Sequence, residues 1–192
     1  MFSAGGNDVL GGGNISSILA PFYSGASARD LIKDAAVQEA LGAIREGYET
    51  VIQSVKAVSP STIVMFHGYD YPVPRTNGNW LGKPMRSLGI PRPLQRDIVK
   101  ILLDRLNDLL EDIAGAHGPG VVYVDCRNVV GTSVNSWFDE IHPKSSGFQR
   151  VSELLENKVN DHRLKAGGFL LRLKAGLVRH SADWVPETNL VF

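Results

Sequence analysis

Two short apolar runs, Thr62-Ile63-Val64-Met65-Phe66 and Val121-Val122-Tyr123-Val124-Asp125, constrain the fold more than any other feature. Each is continuous rather than alternating, rich in β-branched and aromatic residues, and too short for a helix. A strand buried on both faces, as in a parallel sheet, reads this way. Helical periodicity surrounds them. Between Ser27 and Val58, Leu31, Ala35, Leu41, Ile44, Tyr48, Val51, Ile52 and Val55 recur at spacings near three and four, and Ser59-Pro60 stops the pattern. A second helix is expected from Pro93 to Ala116, with Ile98, Leu102, Leu106, Leu109 and Ile113 inward and His117-Gly118-Pro119-Gly120 as its stop. Ser146-Gly147-Phe148-Gln149 reads as a capping box opening a third helix through Asn157. Helices alternating with buried strands predict an α/β layer on a parallel sheet. Two parallel strands do not make a stable sheet, so the fold is expected to be incomplete on its N-terminal side.

The connecting segments are uneven. Residues 1–25 are rich in Gly, Asn and Ser and read as a loop, with Val9, Leu10, Ile15 and Leu19 spaced for burial. Gly68–Arg92 mixes Gly, Pro, Asn, Tyr and Trp without a period, and a connection of that length is usually functional or mobile. Residues 161–192 form a somewhat basic extension with a short helix expected over Phe169–Val178, and Lys165, Arg172, Lys174 and Arg179 read as a solvated basic face.

Composition narrows the function classes. Lys+Arg 20 against Asp+Glu 20 leaves no basic excess for a nucleic-acid backbone. A single cysteine, Cys126, excludes an internal disulfide framework and a cysteine-rich zinc site. No apolar run approaches the roughly 20 residues of a membrane helix, and Met1–Gly13 lacks the basic-then-apolar pattern of a signal peptide.

Two segments carry chemistry. Phe2-Ser3-Ala4 reads as the end of a strand running into Gly5-Gly6-Asn7-Asp8. The glycines permit close backbone approach, and an Asn7 amide held at the strand tip suits a developing oxyanion. A plain glycine-rich turn reads the same way. In Trp137-Phe138-Asp139-Glu140-Ile141-His142-Pro143, Asp139 and His142 stand three residues apart on a turn ahead of a helix. At that spacing an aspartate can accept the imidazole Nδ1–H and leave Nε2 free as a general base. A loop-stabilising hydrogen bond is the alternative.

Together the segments resemble the SGNH hydrolases, the GDSL esterase and lipase superfamily. Gly5-Gly6-Asn7-Asp8 looks like the family's Gly-x-Asn-Asp block, and Asp139-Glu140-Ile141-His142-Pro143 like its Asp-x-x-His-Pro block. Trp137 ahead and Gly147-Phe148 behind also fit. The resemblance covers residues 1–160 as one domain, with 161–192 as an extension. It implies a flavodoxin-like three-layer α/β fold with a parallel sheet, lacking its first strands, and hydrolysis of ester bonds without cofactor or metal. By this resemblance His142 is the base, Asp139 its orienting acid and Asn7 the oxyanion donor. The substrate class is a small-molecule, lipid or carbohydrate ester, while oligomeric state and localisation stay open.

One departure is large. The family's Gly-Asp-Ser block precedes Gly-x-Asn-Asp, and no Gly-Asp-Ser occurs in the 192 residues. The serine is therefore expected upstream of Met1, in a β-α-β unit of roughly 30 residues or more. Without it, an inactive product or an interaction module built on the fold's back half is the alternative. Ser3, Ser16, Ser17 and Ser133 read as loop and cap residues, and Cys126 as a structural thiol that competes with a nucleophilic reading.

Further substrate contacts are expected from Gly5, Gly6, Asp8, His67, Asp70 and Trp80. His67-Gly68-Tyr69-Asp70 closes the first strand at the sheet's carboxyl edge, where open α/β sheets bind ligands. Met85 shares the long loop with Trp80, lining a pocket or packing the loop down. His67, Asp70, Asp139 and His142 carry metal-ligand chemistry, although the resemblance calls for none. His117, His162 and His180 read as solvated.

Overall fold

The computed structural model describes residues 1–166, with side chains through residue 162. The helix expected over Phe169–Val178, together with Arg172, Lys174, Arg179, His180 and the side chain of Lys165, lies outside the described residues.

The chain is mixed α/β around a parallel strand pair. Its elements are α1 (Gly6–Val9), α2 (Asp34–Val58), β1 (Val64–His67), α3 (Gly82–Ser87), α4 (Arg92–His117), β2 (Val121–Val124) and α5 (Ser145–Ala166). β1 and β2 align Val64 with Val121 and His67 with Val124. Phe2 adds a single parallel bridge to Phe66 on the other side of β1, its N–H donating to the Met65 carbonyl at 3.0 Å. Three chain segments therefore run the same way, in the order Phe2, β1, β2.

Side-chain alternation divides the packing into layers. Val64, Phe66 and Val121 face α2 and α4, joining Leu41, Ile44, Tyr48 and Ile52 of the former and Ile98, Leu102, Leu106 and Ile113 of the latter. Met65, Val122 and Val124 face the opposite way, against Leu154, Leu155 and Val159 of α5. Phe66 is fully buried at the centre, ringed by Phe2, Tyr48 and Tyr123 with centroids 5.6, 4.9 and 6.3 Å away.

Several expectations change. The helix expected from Ser27 begins only at Asp34. Ser27 N–H and Oγ–H both donate to Asp30, closing a turn, and Leu19 bridges Ile32 antiparallel, so Leu31 is buried from the end of that turn rather than from a helix. Val51, placed on the inner stripe, is 40% exposed, while Val37 is buried. Ser146 lies inside the first turn of α5 rather than capping it, because the helix starts at Ser145 over the Lys144 carbonyl. α5 continues beyond Asn157 and residue 160 to Ala166. His117 is not simply solvated: its Nε2 meets Glu49 Oε2 at 2.6 Å, tying the end of α4 to α2. The long loop contains α3, whose Met85 is fully buried and packs the loop onto the core.

Candidate active site

The parallel arrangement gathers the loops that follow each strand at one carboxyl edge: Gly5–Asp8, the Gly68–Arg92 loop, and the segment from Asp125 to Lys144.

The Asp139–His142 turn is the best-defined part. Trp137 bridges Pro143 antiparallel, Phe138 N–H donates to the His142 carbonyl at 2.8 Å, and Lys144 N–H to that of Ser136 at 3.0 Å. These bonds close a tight loop with Asp139 and His142 at its tip. Trp137, 2% exposed, anchors it by donating Nε1–H to the Gly131 carbonyl at 2.9 Å. Asp139 Oδ1 accepts the backbone N–H groups of Ile141 and His142, each at 2.8 Å, and Oδ2 lies 2.7 Å from His142 Nδ1. This is the contact the three-residue spacing predicts. Burial pushes the Asp139 carboxyl up, but the bonds from the His142 ring and the two amides outweigh it and hold the group below its ordinary value. The His142 side chain is 51% exposed, and no described residue hydrogen-bonds to its Nε2.

At the N-terminal segment, Phe2 ends its short pairing and Gly5 turns the chain at φ 93°, a left-handed conformation that favours glycine. Gly6 permits a close approach, since a Cβ there would lie 2.9 Å from the Tyr69 ring. Asn7 and Asp8 are exposed in the four-residue helix α1, with Asn7 in its first turn rather than at a bare strand tip. Ser3 Oγ–H donates to the Tyr69 hydroxyl, locking this segment to the residue that follows Gly68.

The other candidates divide. His67 packs its Nδ1 2.8 Å from the Gly68 carbonyl, and burial lowers its pKa while that carbonyl partly restores it. Asp70 lies at the carboxyl edge but beneath the surface, 6% exposed. Its two oxygens accept the N–H groups of Tyr71, Asn128, Val130 and Gly131, at 2.6 to 2.9 Å. A carboxylate offers about four lone-pair sites, so the backbone takes them all. Trp80 is 44% exposed, its ring beside Gly13 in the loop that follows Asn7. Ser16 and Ser17 turn back on Asn14, Ser133 Oγ accepts the Asn135 N–H, and none meets His142. Cys126 is 1% exposed, and burial, with Asp125 and Asp70 nearby, pushes its thiol up to about 12. Among the described residues no three His, Cys, Asp or Glu side chains converge as a metal site.

Sequence reasoning passed over Glu140. Its carboxylate is 1% exposed and accepts the N–H groups of Arg75 (2.7 Å), Trp80 (2.9 Å), Leu81 (2.9 Å) and Gly82 (2.7 Å). Its carbonyl accepts a fifth from Val73 at 3.2 Å. Arg75 returns the connection by donating to the carbonyls of Val134, Trp137 and Phe138. The long loop is thus laced to the residues beside the Asp–His pair.

Comparison with family models, curated proteins and solved structures finds no match.

Proposed function

We propose that this chain supplies the base, orienting acid and oxyanion donor of an SGNH-type serine ester hydrolase with a flavodoxin-like fold. The nucleophilic serine is contributed by residues outside these 192. The carrying observation is the 2.7 Å contact from Asp139 Oδ2 to His142 Nδ1, which holds the imidazole in the tautomer whose Nε2 accepts a proton. In the proposed reaction the serine hydroxyl attacks the ester carbonyl while His142 Nε2 takes its proton, then returns it to the leaving alcohol. Water repeats the sequence on the acyl-enzyme. The Asn7 amide donates to the oxyanion, and Asp139 orients His142 and stabilises the imidazolium. Trp80 forms part of the substrate wall.

The order Phe2, β1, β2 supports this reading, because it brings the Asn7 and His142 loops to one edge. So does a groove of about 430 Å³ lined by Phe2, Ala4, Ala40, Ile44, Tyr48 and Val51. Its walls are the Phe2–Gly12 segment and α2, and no residue of β1 or β2 lines it.

That same groove favours a second reading, an interaction module that receives a partner's strand at the Phe2 edge. Ester turnover by the protein as its native source produces it separates the two. The hydrolase reading expects cleavage of p-nitrophenyl acetate that His142→Ala abolishes and Asn7→Ala lowers about 100-fold or more. No cleavage and no labelling by a fluorophosphonate would overturn it and leave the module.

A further inference from the structure

We infer that Glu140 is a positioning residue, fixing the Asp139–His142 pair and the Trp80-bearing loop as one unit. The inference rests on the proposed hydrolase reading for its purpose, and on geometry for its content. Glu140 sits between the two residues of the pair. Its side chain points away from them, into a pocket made of backbone N–H groups from Arg75, Trp80, Leu81 and Gly82. A fully buried carboxylate is costly unless its acceptor sites are filled, and here four donors fill them. Gly78 lies so close that a Cβ there would overlap the Glu140 carboxyl, so the loop folds around the group rather than merely touching it.

The consequence runs in both directions along the chain. Toward the C-terminus, the next two backbone N–H groups, of Ile141 and His142, donate to Asp139 Oδ1, so the turn that presents the imidazole starts from the anchored residue. Toward the loop, Trp80 is held through its own N–H while its ring reaches the Gly13 side. Glu140 therefore sets the distance between the base, the aromatic wall and the segment after Asn7, without touching a reacting atom.

The test reads the imidazole rather than turnover, on the full chain labelled with ¹⁵N-histidine. Wild type is expected to show neutral His142 as a single Nδ1–H tautomer. Glu140→Gln replaces one acceptor oxygen by an amide that brings two donors to a site already crowded with donors. In the folded variant His142 is expected to populate both tautomers. Amide exchange at Ile141 and His142 should accelerate by about tenfold or more relative to Leu102 and Leu106 in the same sample, because their own acceptor, Asp139, sits on a turn that has lost its buried anchor. A merely structural role would lower protection at Leu102 and Leu106 alike and leave the tautomer of the folded molecules unchanged, which would overturn the inference. If Glu140→Gln does not hold the fold, wild-type exchange decides. A common opening of the Trp80, Leu81, Gly82, Ile141 and His142 amides supports the single unit, and separate openings overturn it. A protein that cleaves no ester leaves this result standing, and a failed tautomer test leaves the ester assay standing.

Discussion

Trp80 and Glu140 stand 60 residues apart in the chain, and the backbone N–H of the first donates to Oε2 of the second at 2.9 Å. Asp139, which precedes Glu140, and His142, two residues after it, form the Asp–His pair, and the Trp80 ring lies beside the glycine-rich loop after Asn7. One hydrogen bond thus lies on the route between the two ends of the candidate site.

Asp139 makes stability depend on pH. Its carboxyl is held below the ordinary value of 3.8 in the folded chain. The contribution of a depressed carboxylate is complete above the unfolded pKa, about 3.9, and lost as pH falls through the folded value. Asp139→Asn is expected to be less stable than wild type at neutral pH, with the gap narrowing below about pH 4. Urea unfolding of both proteins across pH 2.5 to 7 measures it, and a gap that stays constant would contradict the assignment.

Cys126 is expected to resist alkylation in the folded protein. A thiol pushed up to about 12 is only about one part in ten thousand thiolate at pH 8, and burial removes access as well. Iodoacetamide labelling followed by mass should be slow in buffer and rapid in 8 M urea. Rapid labelling of the folded chain would reopen Cys126 as a nucleophile.

Gly6→Ala places a methyl group 2.9 Å from the Tyr69 ring and must displace it. A cost of about 1–3 kcal/mol is expected, as for overpacking elsewhere. In a Tyr69→Ala background the same change should cost much less. A double-mutant cycle by urea unfolding reads the coupling, and additive costs would exclude the steric account.

Phe66→Ala removes the ring on which Phe2, Tyr48 and Tyr123 converge and should cost about 3–5 kcal/mol. The loss should appear as a lower urea midpoint with an unchanged slope. A cost under about 1 kcal/mol would mean that the three rings close over the space.

What the sequence made legible was local. The strands at Val64 and Val121 could be read because burial on both faces leaves an uninterrupted apolar run, and α4 because its inner residues keep a regular spacing over 26 residues. The Asp139–His142 contact closes within three residues, so composition and spacing suffice. Glu140 was invisible for the opposite reason: its side-chain partners are 58 to 65 residues away and are backbone amides, which carry no side-chain signature. Asp70 belongs to the same class, with three of its four donors 58 to 61 residues distant. Leu31 mimicked the start of a helix because a turn held by a neighbouring bridge buries a side chain as well as a helical stripe does. Tertiary pairing with Leu19 and the Ser27–Asp30 turn override that periodicity.

Asp70 and Glu140 divide the long loop as two rivets divide a strap. The first fastens its beginning to the segment after β2, and the second fastens it from Arg75 through Gly82 to the turn ahead of α5. Between Arg75 and Trp80, Gly78 lies against the second fastening, while Thr76 and Asn77 are exposed in a turn closed by the Gly78 N–H on the Arg75 carbonyl at 3.0 Å. Extra residues at Thr76 and Asn77 would project into solvent and leave the bonds to Asp70 and Glu140 in place. Lengthening there would change what overhangs the edge of the sheet while the Asp139–His142 turn keeps the hydrogen bonds that close it.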